Sequence, residues 1–277
     1  MKRIILPVLI SVVALQTSVR AQETNPNYEA DSAVTRSTDG LQQTADTVEL
    51  SEEASNILTR MTEFISSAPA YTLVADMANE VLQKNGQTLE FGAHITASLR
   101  RPSQANMHFD NRNGDNATII LDGDTIAVFS TIENTHVYDT TRQPGDIDAS
   151  FEFLADQLGT PDQLNHFFSI DLTGSMRRLV KSGYYIGEAT IAGILCDNLA
   201  LRNDDEDVQL WIAKGDKPVP RRIVVTYKNR EGQPQFWAQF EEWNFSPNLP
   251  EAIFSYSPPA HAERVDFFGD TPLDKLE

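Results

Sequence analysis

Few residues in this chain have types and spacing that could do chemistry. The five histidines (His94, His108, His136, His166, His261) are scattered, none at metal-pair spacing with another, so each reads as a surface or half-buried side chain. Asp204, Asp205, Glu206 and Asp207 make an acidic run. It lacks the alternating ligands and the glycine of a calcium loop, so a solvated hairpin tip is the expectation. Cys196 is the one cysteine, which leaves no internal disulfide. Inside "IAGILCDNLALR" it reads as a buried strand residue rather than a nucleophile. There is no G-x-S-x-G and no phosphate loop; "TGSMRR" shares only a Gly-Ser. A non-enzymatic protein without a cofactor is expected. An enzyme would need titratable groups brought together from separate strands.

One residue has an unusual position rather than an unusual neighbour. In "HITASLRRPSQANMHFD" (94–110) side chains of a strand alternate between faces. Phe91, Ala93, Ile95, Ala97 and Leu99 share one face; Gly92, His94, Thr96, Ser98 and Arg100 share the other. Arg100 is therefore polar-face, and Arg101 falls in line with the apolar residues. A guanidinium offers five donors, cannot be neutralised, and can lay its stem on a greasy wall. A salt-bridge partner is the plain alternative.

The elements that must position these residues follow from pattern. Ser51 opens a helix with Glu52 and Glu53 in its first turn, where the dipole favours them. Ile57, Leu58, Met61, Phe64, Ile65 and Ala68 form one apolar stripe, and Pro69 ends it. Strands follow: "YTLVADMANEVL" and "QTLEFGAHITASLRR" flank "KNG", then "QANMHFDN", "NATIILD", "TIAVFSTI" and "NTHVYDTT", with "DGD" (122–124) as a tight turn. The middle is helical: "DIDASFEFLADQLG" (146–159), "TPDQLNHFF" with Thr160 as N-cap and Pro161 at the first helical position, and a turn in "GSMRRLVKSG". Strands resume with "YYIGEATIAG", "ILCDNLALRN", "VQLWIAKG", "VPRRIVVTYKN" and "PQFWAQFEEWNF". The apolar phase of the last slips between Phe240 and Trp243, which predicts a β-bulge. "AIFSYSPP" is expected as a short final strand. No strand–helix alternation argues for a parallel sheet. An α+β chain with a long antiparallel sheet is expected, curled because it has many strands, with helices on its concave side. Trp211, Trp237, Trp243 and Phe240 alternate on strands as ordinary core or as the lining of an apolar cavity.

The 277 residues carry a formal net charge of −18, which disfavours nucleic acid and anionic membrane surfaces. Lys2 and Arg3 precede "IILPVLISVVAL" (4–15), an apolar run too short to span a bilayer, and Val19 and Ala21 suit a small-residue cleavage site. Residues 1–21 are therefore expected to be a signal peptide cut after Ala21, with a periplasmic destination and no lipid anchor. Residues 22–50 read as an acidic, disordered lead-in. Residues 51–268 form the domain, with a helical insert at 146–181, and 269–277 a tail.

The signal peptide, the opening amphipathic helix, the strand ending in "RRP", the helical midsection and "LPEAIFSYSPPAHAERV" resemble the outer-membrane lipoprotein carrier superfamily, the LolA/LolB-like fold. "GILCDNLALR", "VQLWIAKGDKPVPRRIVVTY" and "FSYSPP" resemble more closely a bacterial family of predicted periplasmic proteins of unknown function within that fold. The likeness covers roughly residues 51–268. It implies an incomplete antiparallel barrel (LolA-like) under a helical lid, with a hydrophobic cavity between. It also implies that Arg101, directly before Pro102, holds the lid through backbone carbonyls. The expected ligand-binding set is Arg101 with Phe91, Ile95 and Leu99 of its strand, Trp211 and Trp237 of the later strands, and Phe64, Phe153 and Phe167 of the helices. The expected partner is a lipid or lipoprotein acyl chain, with a membrane-bound partner protein next and no nucleic acid, and the chain is expected to be a monomer. The rival expectation is a protein-interaction module of the cell envelope with a filled core.

Overall fold

Twelve strands pair into one sheet in a computed structural model that describes residues 49–132, 135–158 and 168–268. The first meander comprises β1 (Ala70–Leu82), β2 (Thr88–Arg100), β3 (Gln104–Asn111), β4 (Asn116–Asp122), β5 (Thr125–Ile132) and β6 (Thr135–Arg142). The second comprises β7 (Ser182–Ile191), β8 (Ile194–Arg202), β9 (Glu206–Ala213), β10 (Pro220–Tyr227) and β11 (Gln235–Asn244). A two-residue strand, β12 (Glu263–Arg264), follows them. The spatial order is β12-β6-β5-β4-β3-β2-β1-β11-β10-β9-β8-β7, so β1 and β11 join the two meanders and the ends stay apart. The sheet is long, curled and open. All pairings are antiparallel except β12 on β6.

Short turns set the register of the first meander. Gly123, at φ 106°, makes the β4–β5 turn, where a side chain would be strained. Three bulges bend the second meander. Val74 pairs with Glu242 and Ala75 with Phe240, leaving Glu241 as the extra residue. This is the phase slip read from the sequence. Arg221 is the extra residue of β10, and its Nη2 donates to the Glu241 carbonyl at 2.9 Å. Ile186 is extra in β7.

Among the described residues, three helices cover the concave face: α1 (Glu52–Ser66), α2 (Ile147–Leu158) and α3 (Leu172–Leu179). Ser51 caps α1, its Oγ accepting from the Ala54 N–H at 3.3 Å. The α1 stripe (Ala54, Ile57, Leu58, Met61, Ile65) shares one core with the inward residues of the strands and with Phe151 and Leu154 of α2. α1 and α3 meet through Thr173, whose Oγ1 donates to the buried Thr62 Oγ1 at 2.9 Å. At the β7 edge the chain arrives close beside the sheet. Ser51 N–H donates to Gly183 O, and a Cβ on Gly183 would stand 2.7 Å from both the Ala200 carbonyl and the Leu201 side chain.

The segment after β11 differs from expectation. "AIFSYSPP" is not a strand: Glu251–Phe254 forms a 3₁₀ helix, and only Glu263–Arg264 pairs with the sheet. Pro247, Pro250, Pro258 and Pro259 remove ladder donors here, so the segment runs as a strap. It crosses the convex face of β2–β6. Phe254 is fully buried there, beside buried Ile120 and Ala127, and Asn106 Nδ2 donates to Ile253 O at 2.6 Å. The expected signal segment and cleavage site, most of the lead-in, Gly159, Thr160, Pro161 and the tail from 269 lie outside the described residues.

Candidate functional site

β2 presents its faces as its alternation dictates. Ala93, Ile95, Ala97 and Leu99 are buried at 1, 1, 2 and 0% exposure, and Phe91 is half-buried at the far end. Tyr71, Leu73, Ala75 and Met77 continue this wall on β1, and Ala105 and Met107 on β3. The wall is rich in alanine, which lets helices approach closely.

Arg101 stands one residue beyond β2, where its side chain meets helix ends. Its Nε donates to Ala68 O at 3.2 Å, two residues past α1. Its Nη1 donates to Ser169 O at 3.0 Å, three residues before α3. Its Cζ lies 5.8 Å from the Tyr71 ring centre, and Nη2 is buried without a hydrogen-bond partner. Asp148 of α2 grips the same segment from the other side: Oδ1 accepts from Ile170 N–H at 2.8 Å and Oδ2 from Ser169 Oγ at 3.0 Å. One guanidinium thus ties two helix ends to the rim of the wall. Burial pushes the Tyr71 phenol far above its ordinary range, with the Arg101 cation opposing, so the ring stays neutral beneath the charge.

The remaining expected residues divide. Phe64 packs edge-on against Phe245 with ring centres 4.8 Å apart, and Phe153 meets Phe268 at 5.7 Å. Phe167 lies outside the described residues. Trp211 and Trp237 are corrections: both stand on the convex face. Leu210 and Ile212 take the inward positions of β9, and Phe236, Ala238 and Phe240 those of β11, so the tryptophans between them turn outward. Trp237 Nε1 donates to Glu90 at 3.0 Å, and the Arg112 and Arg222 guanidinium carbons stand 5.6 and 5.3 Å from its ring. Trp243, beyond the bulge, turns inward to Tyr71 and Phe240. Sequence reasoning missed Asp148, Tyr71 and Phe245. Only Tyr71 left a signal, sitting on the inward phase of β1.

A pocket of about 550 Å³ lined by described residues is polar. It opens beside the α1 N-terminus, among Glu52, Arg60, Tyr185, Asp197 and Lys214. The Lys214 ammonium bonds the carboxylates of Glu188 and Asp197, which hold it charged. Between helices and wall, the described buried side chains form one continuous core. Among the described residues no group of three or more His, Cys, Asp or Glu could hold a metal, and no helix is long and apolar enough to cross a membrane.

The signature of a family described as "Predicted periplasmic protein (DUF2092)" matches residues 54–268. No curated protein matches the chain in sequence. Among solved structures, the lipoprotein LppX of Mycobacterium tuberculosis is similar at 12% identity and a TM-score of 0.43, over 72% of this chain and 100% of that one. LprF of Mycobacterium bovis is similar at 13% identity and 0.46, over 73% and 98%. A LolA superfamily protein of Nitrosomonas europaea is similar at 12% identity and 0.36, over 73% and 97%.

Proposed function

The chain belongs to the DUF2092 family of predicted periplasmic proteins, and from that premise we propose that it is a non-enzymatic carrier or sensor of a lipid-like ligand. The acyl part of that ligand takes the place of helix side chains on the concave wall. The observation that carries this reading is the Arg101 clip: the cover is separate helices, and their ends meet on one guanidinium at the rim of an apolar wall. The hydrophobic effect is non-directional, so an acyl chain replaces helix contacts on that wall at little net cost. What must break is polar. Two charge-assisted bonds are worth ~1.5–3 kcal/mol each. A buried methylene returns ~0.8 kcal/mol, so the chain opens the cover where its burial exceeds what the helices lose by roughly four to eight methylenes.

Native mass spectrometry and lipidomics on protein purified from cell envelopes test the reading. Co-purified lipid or lipopeptide is the expected result; consistently empty protein that takes up no fluorescent fatty acid contradicts it. Export with cleavage after Ala21, and a monomeric state, belong to the same proposal and are read by N-terminal sequencing and by mass in solution. A second reading, a protein-interaction module, draws on the β7 edge. There Tyr184, Ile186 and nearby Leu195 are 50, 48 and 47% exposed on a sheet end that is otherwise largely unpaired among the described residues.

A further inference from the structure

The inner face of the sheet carries, besides Arg101, a buried carboxylate that its phase does not explain. Val137, Asp139 and Thr141 share the inward face of β6, opposite Ser130, Val128 and Ile126. Asp139 is 5% exposed. A carboxylate buried beside valines needs donors. Apart from its neighbour Thr140 N–H, its donors come from one short segment that runs from Arg264 of β12 to Phe268. Oδ1 accepts from Arg264 Nε at 3.1 Å, and Oδ2 accepts from the Phe267 and Phe268 N–H groups at 3.0 and 3.4 Å. Those bonds hold Phe268, 5% exposed, inside the core against Phe153 of α2.

We propose that residues 264–268 are a displaceable plug, and that the space Phe268 fills between α2 and the inner face of β5–β6 is an acyl-chain subsite. This rests on the lipid-binding reading above and adds where the chain enters and what gives way. Three features favour displacement. The pairing of this segment with the sheet is two residues long, plus the Val265 N–H to Tyr138 O bond at 2.9 Å. Its polar anchors at Phe267 and Phe268 are backbone N–H groups, which water can satisfy once the segment lifts. The site lies at the open β6 end of the sheet, so leaving it disrupts no central strand. An acyl chain entering there exchanges one buried apolar group for another, while Asp139 becomes hydrated at the rim.

The test uses the full-length chain and cis-parinaric acid as probe. Phe268→Ala removes the competing ring, and Arg264→Ala loosens the tether through a side chain that is 62% exposed and so leaves the core intact. Probe affinity is expected to rise about tenfold in Phe268→Ala and about threefold in Arg264→Ala. In the unaltered protein, probe binding is expected to raise hydrogen exchange at 264–268. Equal affinity in all three proteins, with protection of 264–268 unchanged on binding, overturns the plug and leaves the lipid-binding reading standing. No probe uptake by any of the three overturns both.

Discussion

Arg100 and Arg101 are neighbours in the chain and work on opposite faces of the same sheet. Arg100 turns to the convex face, where Nη1 meets Glu251 at 2.6 Å and Gln104 at 2.9 Å, Nη2 bonds Leu249 O, and Cζ stands 4.6 Å over the Phe254 ring. Its partner Glu251 is 70% exposed. Arg101 turns to the concave face and bonds only neutral carbonyls among its recorded hydrogen bonds. The first arginine fastens a proline-rich strap through a solvated charge network. The second fastens helices over an apolar wall. Exposed ion pairs contribute little, whereas buried charged donors leave costly orphans when broken. The convex face is therefore built for permanence by covering, the concave face for a cover whose helix ends meet on a buried guanidinium.

The contrast orders the expected effects. Leu99→Ala, at a fully buried position beside the clip, should cost about 3 kcal/mol in urea unfolding; a cost near that of a surface change would mean the wall is not packed. Arg101→Leu should cost about 3 kcal/mol, because Ala68 O and Ser169 O lose their donor. The same variant should speed hydrogen exchange in α1 and α3 and change ligand retention, with the far-UV CD unchanged. Unaltered exchange would remove the clip from the account. On the other face, Trp237→Ala should cost about 1 kcal/mol through its two cation–π contacts and leave helix exchange alone.

The smallest effect depends on pH. Hydrogen bonds from Gln104 and then Arg100 hold the Glu251 carboxyl below its ordinary value. A lowered folded pKa stabilises above the unfolded value and is lost as pH falls through the folded one. The strap of the unaltered protein should thus resist proteolysis better than that of Glu251→Gln at about pH 6, and lose that advantage as the pH falls below the ordinary carboxylate range. No advantage over Glu251→Gln at about pH 6 would show the ion pair to be idle.

Period-two alternation made the first meander and the Arg101 phase legible, and the 3.6-residue period the α1 stripe, because each is a local consequence of strand or helix geometry. The Glu241 bulge was legible for the same reason: it shifts a phase that can be counted. Trp211 and Trp237 misled because size and aromaticity do not decide a face; the residues on either side do. The strap misled because "AIFSYSPP" has strand-like residues, and its prolines outweigh them. Asp148 and Asp139 left no signal, since their partners are backbone groups 22 and 128 residues away, a pairing that only the folded chain creates.

Photo-crosslinking with a diazirine-bearing long-chain fatty acid tests the central claim most directly. Saturable label on 57–65, 93–99 and 151–154, competed by unmodified fatty acid, is the predicted result. Label confined to convex-face peptides around Trp237 and Phe254, or no saturable label, would contradict it.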